Sequence, residues 1–363
     1  MPLSSNIISI KSDLVGELTT KQALLPSITA TLLMTAGSLT TSAISGVSGM
    51  GIYFDYAATG ASVSVVAVLI WIFLHVAAMA VRKEEEPLKQ IREKLPSRLR
   101  LIILPALIFP VFLASFTTAK SAIPFVTGFG WDHYWADMDR AIFGVDPWTI
   151  THSLLGDPET RALAWFYTVA WGFAVAFSKS LIAIYADRKF VAQFFTAALF
   201  TWLIGGFVGA YALSSAGPIF AHLVDPAMAH RFDELRIVLA GALPADSPLL
   251  NTQRYLAHAL SSKEAVRGGG MSAMPSMHVA AATLLWLAAR GRTWTILASA
   301  FWIATFVGSV HFGYHYALDG VFGGAIAVGC WLIARAYFAF LTREMFTPDD
   351  LASGPAYQAV EGR

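Results

Sequence analysis

The chain has 363 residues, 56% of them hydrophobic and only 13% charged, with a mean hydropathy of +0.58. Soluble domains carry about 25% charged residues, so a water-soluble globule is excluded and a polytopic membrane protein is indicated. The net charge of +1 offers no field for nucleic acid, and the single cysteine, Cys330, excludes an internal disulfide framework and a cysteine metal cluster.

A membrane-spanning helix needs about 20 apolar residues. Uncharged or nearly uncharged runs of that kind predict spans at 24–47, 62–81, 101–118, 163–185, 190–214, 275–289, 293–311 and 320–341. The first is too long for the h-region of a secretory signal and lacks a small-x-small exit. The expected fold is therefore all-α, a polytopic bundle of about eight transmembrane helices, with no β-barrel pattern. Basic residues collect in three connections: Arg82, Lys83, Lys89, Arg92, Lys94, Arg98 and Arg100, then Arg188 and Lys189, then Arg290 and Arg292. Basic loops stay in the cytoplasm, which places both termini there as well. The opposite loops differ in charge: residues 131–159 hold Asp132, Asp137, Asp139, Asp146, Asp157 and Glu159 against Arg140 alone.

The basic stretch is the clearest internal boundary. It divides the chain into an N-terminal helix pair (22–81), a cytoplasmic linker suited to anionic lipid (82–100), a six-helix catalytic core (101–342) and a short polar tail (343–363). The N-terminal pair is expected to lie at the periphery.

Two segments carry chemistry. The first is Gly268-Gly269-Gly270-Met271-Ser272-Ala273-Met274-Pro275-Ser276-Met277-His278. Glycines permit tight turns and offer bare amides, Pro275 suits the first turn of a helix, and a helix N-terminus behind glycines binds phosphate. Gly270 and Ser276 are the expected substrate contacts. The second is Ser309-Val310-His311-Phe312-Gly313-Tyr314-His315-Tyr316-Ala317-Leu318-Asp319. His315 and Asp319 are four apart and share a helix face, and a carboxylate on one ring nitrogen leaves the other free as base or nucleophile. Ionisable groups at a membrane helix end are costly and mark function. From His278 the chain descends one helix, turns at Gly291 and returns, so both segments meet at one membrane face. Two histidines, an aspartate and an anion-binding helix start describe phosphoryl transfer through a histidine: one histidine attacks phosphorus and the other protonates the departing oxygen.

Pro275-Ser276-Met277-His278 and His315-x-x-x-Asp319 resemble the second and third signatures of the type 2 phosphatidic acid phosphatase superfamily, over roughly residues 101–341. The form Ala-Met-Pro-Ser-Met-His-Val with His315-Tyr316-x-x-Asp319 is similar to the inositol phosphorylceramide synthase branch. Asp139-Arg140-Ala141-Ile142-Phe143-Gly144 with Pro147, and Ala216-Gly217-Pro218, are similar to that branch's outer-loop landmarks. The resemblance implies an integral membrane lipid phosphotransferase with His315 as nucleophile, Asp319 as its orienting partner and His278 as acid for the leaving group. A phosphatase acting on phosphatidic acid or polyprenyl phosphates is the alternative. The first signature is absent, since Lys120 is followed at that spacing by Thr127, and Gly308, Ser309 and Val310 stand where the third signature has arginine. Arg254, Lys263, Arg267 and His311 are the candidate replacements, with Arg267 and His311 carried forward as substrate-binding residues.

Two rival readings come from other classes. Eight spans also suit a lipid transporter, although transporters usually place polar groups near the midplane in two related halves. His311, His315 and Asp319 at four-residue steps, with His278, have the spacing of a zinc site. The favoured reading calls for no metal or cofactor, and its partners are membrane lipid substrates, with no nucleic acid.

Overall fold

The computed structural model describes residues 18–83 and 87–344; the tail beyond residue 344 lies outside the described residues. It is a helical bundle with no strand among the described residues, only an isolated bridge between Ser48 and Glu264. Among the described residues, six helices are long and apolar enough to cross a membrane: α1 (Thr20–Ser45), α2 (Met50–Val81), α4 (Leu104–Val126), α7 (Asp157–Tyr185), α8 (Arg188–Ala212) and α13 (Ala317–Thr342, continuing to Glu344). Two shorter apolar helices are α11 (Met277–Ala289) and α12 (Thr295–His311). All eight expected spans are helices, so this is an integral membrane protein. The helices overrun the apolar runs, as α2 and α7 do at their first residues, because helical hydrogen bonding continues into polar sequence where hydropathy stops.

By helix rise, α11 is only about 20 Å long, short of the ~30 Å hydrocarbon layer. Its start is set against the first turns of α13: Ser276 N–H donates to the Asp319 carbonyl at 2.9 Å, and a Cβ added at Gly323 would sit 2.2 Å from the Ser276 carbonyl oxygen.

Between the long helices lie α3 (Pro87–Leu99) in the basic segment and, at the other end of the bundle, α5 (Asp132–Phe143), α6 (Pro147–Leu154), α9 (Asp233–Ala242) and α10 (Pro248–Ala259). A membrane-level core is built on Phe112, Phe194, Phe195, Leu199 and Phe338. A second, under the loops, is built on Trp148, Phe232, Met274 and Phe312. Between membrane helices there is little hydrophobic drive, so close approach of small residues carries the packing. Gly60 of α2 illustrates this, since a Cβ there would meet Pro110 of α4 at 2.2 Å.

The N-terminal pair is not remote from the core. Tyr56 of α2 bonds Thr117 of α4 at 2.9 Å and its hydroxyl oxygen accepts from the Gly268 N–H at 3.0 Å. Ala265 N–H also donates to the Ser48 carbonyl, at 2.7 Å. For α2 the peripheral position expected from sequence is corrected here: motif spacing within 101–341 gives no sign that α2 reaches the glycine loop.

Candidate active site

A cavity of about 360 Å³ opens at the loop-bearing end, and His278, His315, Lys120, Tyr167, Trp171 and Tyr314 are on its wall. His278 comes from the first turn of α11. Ser276 is the N-cap of that helix, its Oγ accepting from Val279 N–H at 3.4 Å, a role that serine fills well. Pro275 therefore precedes the cap instead of sitting in the first turn. The His278 ring is held by stacking on Tyr167 (centroids 4.8 Å apart, 16° between planes) and by a tilted contact with Trp171, centroids 4.3 Å apart at 39°.

His315 lies in the short link between α12 and α13, its ring centroid 5.8 Å from that of His278. Its Nδ1 donates to the Ala273 carbonyl at 2.7 Å, while Asp319 Oδ2 is 3.4 Å away. The Asp319 carboxylate instead accepts from Tyr316 N–H at 2.9 Å. The orienting bond expected from Asp319 is thus made by a backbone carbonyl, with the carboxylate close behind. An Nδ1–H tautomer leaves Nε2 with a free lone pair. Burial, with Lys120 adding to it and the Ala273 bond opposing it, holds the His315 imidazole down to about 3, so the ring is neutral at pH 7.

Two further aspartates hold the link in place. Asp139 accepts from Ala317 and Leu318 N–H at 2.6 and 3.1 Å, capping α13. Asp132 accepts from Ala216 and Gly217 N–H, both at 2.8 Å, and from the Tyr316 hydroxyl at 3.0 Å. Burial raises both carboxyls above the ordinary range, and these bonds pull them back. The Asp139 and Ala216-Gly217-Pro218 landmarks thus belong to one clamp on the link that carries His315.

Of the remaining sequence-derived contacts, Gly270 lines the cavity and the others are placed differently. His311 is fully buried off the cavity: its ring nitrogens are bonded to Thr151 and Thr160, each at 3.0 Å, and its ring stacks on His152 at 3.8 Å. Arg267 donates to Thr59 Oγ1 at 3.0 Å and is absent from the cavity wall. Arg254 is turned to Ala245 and Asn251, and Lys263 lies over the Phe125 ring. The Ser276 hydroxyl is spent on its cap. In the glycine loop, Gly268 N–H bonds Tyr56 and Gly269 N–H bonds the Val266 carbonyl at 2.8 Å, so neither amide is bare. Gly270, at φ 81°, is needed for contact: a Cβ would meet the Lys120 backbone at 2.9 Å.

Among the described residues, Lys120 is the one lysine or arginine on the cavity wall. In the sequence it stands only in a broken signature, although a lone lysine inside an apolar span is itself a sign of function. The Tyr167 and Tyr314 hydroxyls and the Trp171 indole N–H are buried without a hydrogen-bond partner among the described residues. No tripeptide motif announces them. No group of three or more His, Cys, Asp or Glu able to hold a metal occurs among the described residues; the aspartates near His315 are bonded to backbone amides and a phenol.

A family model described as the PAP2 superfamily matches residues 136–333. No curated protein and no solved structure matches the chain. The matched stretch covers more than half of the 363 residues, and the chain belongs to that superfamily, whose members are phosphatases or phosphotransferases.

Proposed function

We propose that this PAP2 superfamily member is a lipid phosphotransferase that moves a phosphate-containing head group between lipids through a phosphohistidine, in the manner of the inositol phosphorylceramide synthase branch. One observation carries the reading: His278 and His315 face one cavity, with His315 Nδ1 bonded to the Ala273 carbonyl and Nε2 left unbonded. In the first step Nε2 attacks phosphorus, the bond from phosphorus to the departing oxygen breaks, and that oxygen takes a proton from His278. In the second, the acceptor hydroxyl gives its proton to His278 and attacks phosphorus, the N–P bond breaks, and neutral His315 returns. Asp319, 3.4 Å from Nδ1, stabilises the positive charge that forms on the ring.

Lys120 stands in for the missing cations, and the phenols of Tyr167 and Tyr314 are neutral donors suited to phosphate oxygens. One full charge with neutral donors matches a singly charged phosphodiester better than a doubly charged monoester, which favours head-group transfer. The active-site end is assigned to the non-cytoplasmic face, because the basic connections all lie at the opposite end.

The test is reconstitution of the full chain in vesicles of phosphatidylinositol with ceramide, or of phosphatidic acid alone. Transfer predicts inositol phosphorylceramide and diacylglycerol together. Phosphate released from phosphatidic acid, with no new phospholipid in the first mixture, makes water the acceptor and overturns transfer. Lipid translocation without either product supports the transporter.

A further inference from the structure

We propose that a second cavity beside the catalytic one is a slot for a hydrocarbon chain of the lipid whose phosphate reacts; this rests on the phosphotransfer reading above. The cavity measures about 290 Å³ and lies between α2, α4 and α7, walled by Val63, Phe109, Pro110, Val175 and Ala176. Trp171, Gly172 and Trp202 line both cavities, so the slot continues from the place where the phosphate would sit. Continuity of that kind names the occupant: a chain attached to the reacting head group.

The dimensions agree. Along α7, the slot runs from Trp171 to Lys179, about 12 Å by helix rise. Half of a ~30 Å hydrocarbon layer is ~15 Å, so the slot spans most of one leaflet. Lys179 lies at its far end with its ammonium partnered within the protein: it donates to the Val175 carbonyl at 2.7 Å and lies 4.6 Å from the Phe109 ring centroid. Its aliphatic stem is what remains to line the slot.

Entry is lateral. Gly172 is exposed at the junction of the two cavities, and a Cβ there would meet nothing within 4 Å. A chain can pass sideways from the bilayer at this point while its head group stays at the interface. In a bilayer a chain gains little by exchanging lipid for an apolar wall, so the slot selects by shape, not by hydrophobic affinity. Two of the four helices that line it, α2 and α4, precede the matched stretch that begins at residue 136, while α7 and, through Trp202, α8 lie within it. Helix α2 of the N-terminal pair therefore belongs to the substrate site.

The probe is phosphatidic acid carrying a diazirine midway along one acyl chain, mixed into phosphatidylcholine vesicles holding the full chain. After irradiation, adducts are mapped by mass spectrometry. Label is expected at Val63 of α2 and at Val175 and Ala176 of α7. Ala176→Trp fills the slot and should reduce that label at least tenfold, with a matching loss in the ratio of long-chain to short-chain kcat/KM, since overpacking a filled site costs about ten- to hundredfold. Val63→Trp, from the opposite wall, reads the same quantity if the first variant fails to fold. Label confined to lipid-facing side chains such as Leu74 and Phe173, or unchanged in both tryptophan variants, overturns the slot. Labelling is repeated in His315→Ala, where no turnover is needed. Slot labelling with no turnover of any phospholipid by the unmodified chain would remove the phosphotransfer reading and leave the slot standing.

Discussion

Replacing Asp319 by asparagine separates two jobs that a carboxylate beside a histidine can do. If the carboxylate sets the tautomer, its loss turns the ring the wrong way, and related triads lose about 10⁴-fold. Here the Ala273 carbonyl holds Nδ1–H at 2.7 Å and Asp319 stands at 3.4 Å, so the tautomer should survive. What is lost is attraction between the carboxylate and the charge that forms on the ring. At 3.4 Å and an effective dielectric of ~20, Coulomb's law puts that at about 5 kcal/mol. Part is offset by the amide dipole of asparagine, whose oxygen still accepts from Tyr316 N–H, leaving a rate loss of about a thousandfold. The assays are single-turnover phosphoryl transfer and the ¹⁵N shifts of His315 in labelled protein. Expected are a steep loss of rate with Nδ1 still protonated. A loss below tenfold, or an Nε2–H tautomer in Asp319→Asn, would refute the division of labour between Ala273 and Asp319.

His315→Ala should abolish both turnover and any acid-labile phosphoenzyme, whereas His278→Ala should recover with a phenolate leaving group, because general acid help of about 10²–10⁴-fold matters least there; equal rescue of both variants, or a phosphoenzyme without His315, moves the nucleophile elsewhere. Lys120→Met should raise KM for a phosphorylated lipid at least tenfold with little change in thermal stability, since Lys120 lines the cavity and a methionine keeps its apolar stem; an unchanged KM places phosphate binding on another group. Burial holds folded His315 near 3, below its ordinary 6.5, and lowers His152 as well. The unfolded chain therefore binds more protons between those limits, so this part of the stability is complete above about pH 6.5 and drains as pH falls toward 3; a Tm in detergent that stays level from pH 7 to 4.5 would contradict it. Ser272→Cys in a Cys330→Ser background should react with impermeant maleimide on intact cells, and labelling only after permeabilisation reverses the proposed orientation.

The eight apolar helices are legible in the chain alone, because a lipid environment leaves each span to satisfy its own backbone within about 20 consecutive residues. The meeting of His278 with His315 is legible for the same reason: a descent, a turn at Gly291 and a return bring residues 37 apart to one level. Contacts between distant spans leave no such trace. Lys120 from α4, Tyr167 and Trp171 from α7, and Tyr56 from α2 reach the site only through packing, which single-sequence periodicity does not encode. Nor does sequence register which group accepts the His315 proton, since a backbone carbonyl such as that of Ala273 has no side-chain signature. His311 and Arg267 show the converse: each has the chemistry of a phosphate ligand, but tertiary contacts with Thr151, Thr160 and Thr59 turn both away from the cavity. Residue type and local spacing determined the reaction class, while the tertiary structure decided which cation, which acceptor and which helices surround the reacting phosphorus, because those depend on distances across the bundle.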